Sequence, residues 1–330
     1  MKRDDFAFSS MRVRMAEKKL LTPAIYVRLA EAKDFDEALR ILRETRYADA
    51  MSHTEHGDVE EILRAEREVQ DAKLREWSAG LPIARFAALD AIYHNAKILI
   101  KEAVDGVDLS ALKIPQETAE ENEMTDWINT SGHNPGKTVL QKAIAEGLAS
   151  YENTQQAQAL DQILDRALAE DRRVLAEEIG IPFFRKYVQE MADFSNVLTM
   201  LRAKKQGITR AACESAFVGG GHVATTALLN VFHADYVAIE KAVKEEDGAP
   251  SLQKALHLYV EEQDLRHLEQ ARDERRLAFA QEAEKTLYGP EVLYSYALRM
   301  EGELQNLRIL LAGKRAGLSS EQLRARLRQG

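Results

Sequence analysis

The chain has 330 residues, 45% hydrophobic and 30% charged, which is enough apolar material for a packed core and too much to leave the chain disordered. Its 54 acids against 45 bases exclude a general nucleic-acid-binding role, which needs a basic face. The single cysteine, Cys213, excludes an intramolecular disulfide and fits a reducing, cytosolic setting. No apolar run reaches the roughly 18 residues that a membrane helix needs, and the opening MKRDDFAFSS carries no signal-peptide core, so any membrane role is expected to be peripheral.

Ala, Leu, Glu, Arg, Lys and Gln dominate, the residues that lose least on entering a helix. Helical periodicity runs almost throughout and no stretch reads convincingly as a strand. In chain order, Ile62, Leu63, Val69, Leu74 and Trp77 fall on one stripe of a first long helix. A second carries Leu160, Ile163, Leu164, Ala167, Leu168, Val174 and Leu175. A third long helix is expected from about Ser251 to Leu287. Each meets a stop: Gly80-Leu81-Pro82, Gly180-Ile181-Pro182 and Gly289-Pro290. Glycine closes a helix in the left-handed conformation, and proline suits the first position of the next one.

The helix after each stop carries one signature in triplicate. An asparagine is followed eleven residues on by glycine, then an aliphatic residue, then a capping residue: Asn95…Gly106-Val107-Asp108, Asn196…Gly207-Ile208-Thr209 and Asn306…Gly317-Leu318-Ser319. Asparagine is a poor mid-helix residue because its side chain competes for backbone hydrogen bonds, so its recurrence at one point predicts a tie from the helix to a neighbouring loop or helix. An internal repeat of this length favours three similar helical domains over a continuous solenoid. The segments between copies read as loops: residues 111–137 with Pro115 and Pro135, the Gly219-Gly220-Gly221 run, and EEDGAPS before the third long helix.

Candidate chemistry fails its own requirements. The run SGHNPGKT has Gly136, Lys137 and Thr138 of a phosphate-binding loop, but serine stands at 131, Gly132 is one place late, and the preceding segment is too polar for a buried strand. It reads instead as a loop before a helix starting near Lys137. Gly219-Gly220-Gly221 follows no strand and serves a turn or a close approach. The eight histidines, His53, His56, His94, His133, His222, His233, His257 and His267, form no Glu-x-x-His pair of a di-iron bundle. Asp264 and His267 have the spacing but no second copy. Cys213 lacks an identifiable base and reads as a small buried hydrophobe. No catalytic, cofactor or metal residue is assigned. The tail from Arg308 to Arg328 holds six bases and one acid, Glu321, and reads as a solvated face or as a docking surface for an acidic partner or lipid headgroups.

The closing run GELQNLRILLAGKRAGLSSEQLRARL, the middle run DFSNVLTMLRAKKQGIT, and the opening MRVRMAEKKLLTPAIYVRLAEAKDFDEALRILRETRYADA together resemble the C subunit of the V-type/A-type rotary ATPases (ATP synthases), whose eukaryotic counterpart is the d subunit of the V-ATPase. The resemblance touches both ends and the middle of the chain. It implies an all-α fold of three similar helical domains, 1–110, 111–210 and 211–330, arranged as a pseudo-threefold funnel. It further implies a protein without an active site or cofactor, in a complex that transports protons or sodium ions and makes or spends ATP. Its partners would be the central-stalk subunits and the membrane proteolipid ring, at the cytoplasmic face of the membrane, with no transmembrane segment of its own. Asn95, Gly106, Asn196, Gly207, Asn306 and Gly317 are then structural, and Arg315, Arg324 and Arg326 are candidates for a partner surface. The competing reading is a helical scaffold with unrelated soluble partners.

Overall fold

A computed structural model of the chain describes residues 3–54, 58–78, 80–114, 119–131 and 133–328. These residues form helices and connections, with no strand among them. The N-terminal part contains α1 (Ala7–Glu17), α2 (Pro23–Glu31), α3 (Phe35–Leu42), α4 (Ala48–Ser52) and α5 (Val59–Trp77). The middle contains α6 (Pro82–Asp105), α7 (Ala119–Ser131), α8 (Val139–Thr154), α9 (Ala157–Ile179) and α10 (Pro182–Gln206). Then follow α11 (Arg210–Ser215), α12 (Thr225–Asn230), α13 (Tyr236–Glu245), α14 (Pro250–Glu262), α15 (Arg266–Glu282), α16 (Pro290–Arg315) and α17 (Ser320–Arg324). The chain divides into two compact units, one of Met1–Ala84 with Asp273–Gly330 and one of Arg85–Arg272. The divisions fall inside α6 and α15.

The punctuation read from sequence acts as local stereochemistry requires. Gly80, Gly180, Gly106, Gly207 and Gly317 all have φ between +67° and +74°, a region that costs a residue with a Cβ roughly 1–2 kcal/mol. Pro82, Pro182 and Pro290 each open the following helix. Two expectations need correction. The stretch from Ser251 to Leu287 is not one helix. It breaks at Gln263, which takes φ +57° and closes α14 onto the Tyr259 carbonyl, and Asp264 then accepts the Arg266 amide at 2.9 Å as α15 begins. The segment 111–137 is not loop throughout, since α7 occupies 119–131. The helix expected near Lys137 starts at Val139, with Thr138 and Gln141 forming a reciprocal cap.

In the terminal unit, α16 is the axial element. It is buried around most of its circumference, with Leu293, Tyr296, Leu304, Leu307, Leu310 and Leu311 all buried alongside the polar Glu291, Ser295, Glu303 and Asn306. It is covered by α1, α2, α3 and α5. A helix buried on nearly every side needs no amphipathic stripe, which is why α16 shows none in its sequence. In the central unit, α8 and α9 fold back on each other across Gln155, at φ +52° the counterpart of Gln263. The core around α10 gathers Phe194, Val197, Leu201, Phe217, Leu228, Ile239, Leu256 and Leu268 from α10 to α15.

Repeated clamps and the candidate partner surface

Each of the three asparagines uses its side-chain amide as a surrogate peptide group. Asn95 Nδ2 donates to the Ile114 carbonyl at 2.7 Å and its Oδ1 accepts the Ile114 amide at 2.9 Å. Asn196 holds Val218 in the same way, both bonds at 2.8 Å. Asn306 holds Arg328 at 3.0 and 2.8 Å. In every copy the asparagine is buried, so the helix is tied to one residue downstream of its own C-terminal glycine and cap. The caps are formed by Asp108, Thr209 and Ser319, which accept the amides of Ser110, Ala212 and Gln322. A side-chain amide can satisfy one buried donor and one buried acceptor at once, which explains a residue that helix propensity disfavours.

One turn before the asparagine, two copies carry a buried carboxylate that sequence inspection passed over. Asp193 accepts the amides of His222 and Val223 at 3.2 and 2.9 Å. A Cβ on Gly221 would lie 2.1 Å from Asp193 Oδ1, so the glycine run lets the backbone close on the carboxylate. Glu303, at the matching place in α16, accepts the Leu21 amide at 2.6 Å, Arg46 Nη2 at 2.5 Å and the Tyr47 hydroxyl at 2.8 Å. Arg46 Nε also lies 3.2 Å from Glu66. Gln70 donates to Glu66 at 2.7 Å and accepts the Tyr296 hydroxyl at 2.7 Å. A signal was present: the acid recurs in DFSN and GELQN. Its partners lie far away in the chain.

A cation eight residues after the asparagine completes the parallel. Lys204 donates to the carbonyls of Phe232 and Ala234, and Lys314 donates to that of Ala32. An N-cap follows each held carbonyl: Asp235 accepts the Ala238 amide, and Asp34 accepts that of Glu37. Next to each cap stands an aromatic ring under a cation: Lys204 lies 5.6 Å from the Tyr236 ring, and the Arg315 guanidinium 4.5 Å from that of Phe35. The stretch from Leu21 to Phe35 is therefore held on α16 as the stretch from His222 to Tyr236 is held on α10. The two chain ends together make, in the terminal unit, what continuous chain makes in the central one.

Burial pushes the carboxyl groups of Glu303, Glu66 and Asp193 above the usual range, against the pull of Arg46 on the two glutamates and of backbone amides on the aspartate. The Tyr296 hydroxyl is pushed up to about 12 by the same burial. A carboxyl group raised in the folded state binds its proton more tightly there than in the unfolded chain. Its contribution is full below the ordinary value near 4.5 and is lost as the pH rises through the raised one. Glu60, held low by its hydrogen bonds from Arg308, acts in the opposite sense, and so does Asp264, at about 2 beside Arg266; their contributions are lost on acidification. The thermal midpoint is therefore expected to rise as the pH falls from neutral toward about 5, then to decline below about 4. A midpoint that falls steadily from neutrality would contradict this. The double substitution Glu66→Gln, Glu303→Gln should flatten the rise.

The candidate partner residues lie close together on α16 and the tail, mostly engaged within their own unit. Arg315 stacks on Phe35, Arg324 pairs with Glu31, and Arg326 is exposed. Of the other basic residues there, Arg308 makes two bonds to Glu60 at 2.7 and 2.8 Å, and Arg328 reaches Asp273 at 3.2 Å. Four of the histidines make local contacts. His133 pairs with Glu152, His257 with Glu240 and Glu261, His267 with Glu262, and His94 meets the Leu112 carbonyl. Among the described residues no group of three His, Cys, Asp or Glu converges as a metal site would. His56, Gly132 and Pro115 lie outside the described residues. In the SGHNPGKT run, Thr138 caps α8, the Lys137 amide donates to Gln141, and a helix, not a strand, precedes it. Cys213 is buried, and burial pushes its thiol up to about 11. No described helix is long and apolar enough to cross a membrane.

An all-helical fold with a triplicated asparagine clamp defines a helical repeat protein. Residues 10–326 match the model of the ATP synthase (C/AC39) subunit family, and the chain belongs to that family. It is 26% identical to the C subunit of the V-type sodium ATPase of Enterococcus hirae over 96% of each chain. It is also 26% identical to the C subunit of the A-type ATP synthase of Desulfurococcus sp., over 97% of this chain and 89% of the relative. A third relative, the C subunit of the A-type ATP synthase of Halorubrum lacusprofundi, is 27% identical over 58% of this chain and 55% of its own.

Proposed function

We propose that the chain is the non-catalytic connector of the rotary ATPase, joining the central stalk to the membrane proteolipid ring at the cytoplasmic face. In this reading it passes torque between the nucleotide-hydrolysing head and the ion-carrying ring. Its three similar helical domains, one per asparagine clamp, surround a pseudo-threefold axis. The observation that carries the reading is the family match over nearly the whole chain. The clamps add a physical reason. A torque element needs stiffness, and each long helix is pinned near mid-length to the segment beyond its own end by a two-bond contact. Helices of 24–26 residues span about 36–39 Å with every internal backbone bond made.

The basic tail forms part of a charged contact surface in this account, and Arg326 is the residue that tests it cleanly. Reversing Arg315 or Arg324 would also break their contacts with Phe35 and Glu31. Arg326→Glu is expected to weaken binding of the purified chain to membranes stripped of it roughly two- to fivefold at low ionic strength, the difference vanishing at high salt. Equal binding at all ionic strengths would remove Arg326 from the interface. For the function itself, a tagged chain purified from membranes in mild detergent should bring stalk and proteolipid subunits with it. Recovery with unrelated soluble proteins alone would favour the scaffold reading.

A further inference from the structure

Helix α1 has no counterpart in the repeat. On α16 the place that α11 takes beside α10 is filled by α17, with the same cap and the same asparagine clamp beyond it. The additional helix packs one side on the unit: Val13 is fully buried, and Ser10 and Arg14 bond the backbone around Gly289 and Thr286. Its other side carries Phe8, Met11 and Met15, which are 62%, 58% and 61% exposed. At spacings of three and four these share one helix face. Met11 and Met15 form one wall of a groove of about 1430 Å³ within the terminal unit, with Val69 of α5, itself 48% exposed, among its other lining residues. Scattered exposed apolar residues are ordinary, but a continuous apolar strip lining a concave groove is a recognition feature. Methionine suits such a wall because it adapts to its neighbour.

Charge selects the occupant. Around this groove Arg12 is neutralised by Glu76, and Glu44 by Arg28. Lys18 and Lys19, exposed at the end of α1, have no carboxylate within 4.0 Å among the described residues. Arg46 is balanced by Glu66 and Glu303, and Lys73 and Asp49, which also line the groove, carry opposite charges. The groove therefore presents an apolar strip and a positive excess at Lys18 and Lys19 in a concave shape that fits a rod better than a flat bilayer. We propose that it receives an amphipathic helix of a partner protein, whose apolar face lies on Met11, Met15 and Val69 and whose acidic residues meet Lys18 and Lys19. This inference does not depend on the torque reading.

The test places a photo-crosslinking p-benzoyl-phenylalanine at Met15 of the full chain in its native membranes, with the same group at the exposed Val237 of the central unit as a control. The expected product at Met15, absent from Val237, joins one polypeptide through a peptide with apolar residues at helical spacing and flanking Asp or Glu. With the cross-linker kept at Met15, Met11→Asp with Val69→Asp should lower the yield of that product at least about tenfold at every salt concentration. Lys18→Glu with Lys19→Glu should lower it several-fold at low salt only. Unchanged thermal midpoints would show that both variants fold. Adducts only to lipid, only to a second copy of the chain, or to no dominant polypeptide would overturn the proposal, as would a yield that neither pair of substitutions changes. If the cross-linked partner is not part of the ATPase, the groove stands and the torque reading falls. If the chain co-purifies with stalk and ring while Met15 gives no such product, the groove alone falls.

Discussion

Glu303→Ala is expected to destabilise the terminal unit by about 3–5 kcal/mol, the cost of leaving a buried ionic partner uncompensated. Glu303 is 4% exposed and sits among a backbone amide, a guanidinium and a hydroxyl that come from three separate places: Leu21, Arg46 and Tyr47. Removing it leaves the Leu21 amide and the Tyr47 hydroxyl without their acceptor and leaves the inward-facing Arg46 with Glu66 as its remaining carboxylate. The loss also releases the N-terminal stretch from α16, so proteolysis should appear first near the start of α2. Denaturant unfolding of the variant measures the effect, and a loss under about 1 kcal/mol would mean that Arg46 finds equal compensation elsewhere. Glu303→Gln should cost less but not nothing, since its one amide oxygen can keep the Arg46 and Tyr47 bonds made to Oε1 while its NH2 group then faces the Leu21 amide in place of Oε2.

Asn196→Asp should cost about 2–4 kcal/mol although the side chain keeps its shape. The retained oxygen still accepts the Val218 amide, but the group facing the Val218 carbonyl changes from donor to acceptor in a site where Asn196 is 1% exposed and Val218 7%. Two acceptors then face each other without water, or the carboxyl must take up a proton, and acidic conditions would partly restore the variant. The same change at Asn306 should cost less, because its partner Arg328 is only half-buried. Thermal unfolding of the two variants side by side gives the comparison. Equal and negligible losses would remove the clamps from the account of stiffness.

Local rules made much of this fold legible in the sequence. Glycine in the left-handed region and proline at the first helical position are decided by the residue itself, so Gly80, Gly180, Gly207 and Pro182 could be placed without knowing what surrounds them. The break at Gln263 had no such mark, since glutamine is a good helix former. Only comparison between copies would have exposed it: Tyr151 and Gln155 stand in one copy as Tyr259 and Gln263 stand in the next, and both glutamines close onto the tyrosine carbonyl. Helix α7 was hidden by a polar composition that suits a loop equally well. The asparagines announced a tie, but their partners could not be named, because the held residue lies 19 positions on in one copy and 22 in the others. The tail charges looked like an open basic surface because the acids that meet them, Glu31, Glu60 and Asp273, are remote in sequence.

Transmission of torque is the claim from which the functional account follows. ATP hydrolysis and ATP-driven ion uptake should be compared in membrane vesicles from cells with the chain, without it, and with it restored. The account predicts that without the chain the head still hydrolyses ATP while uptake is lost, and that restoring the chain recovers uptake. Uptake that persists at the original rate in its absence would contradict it.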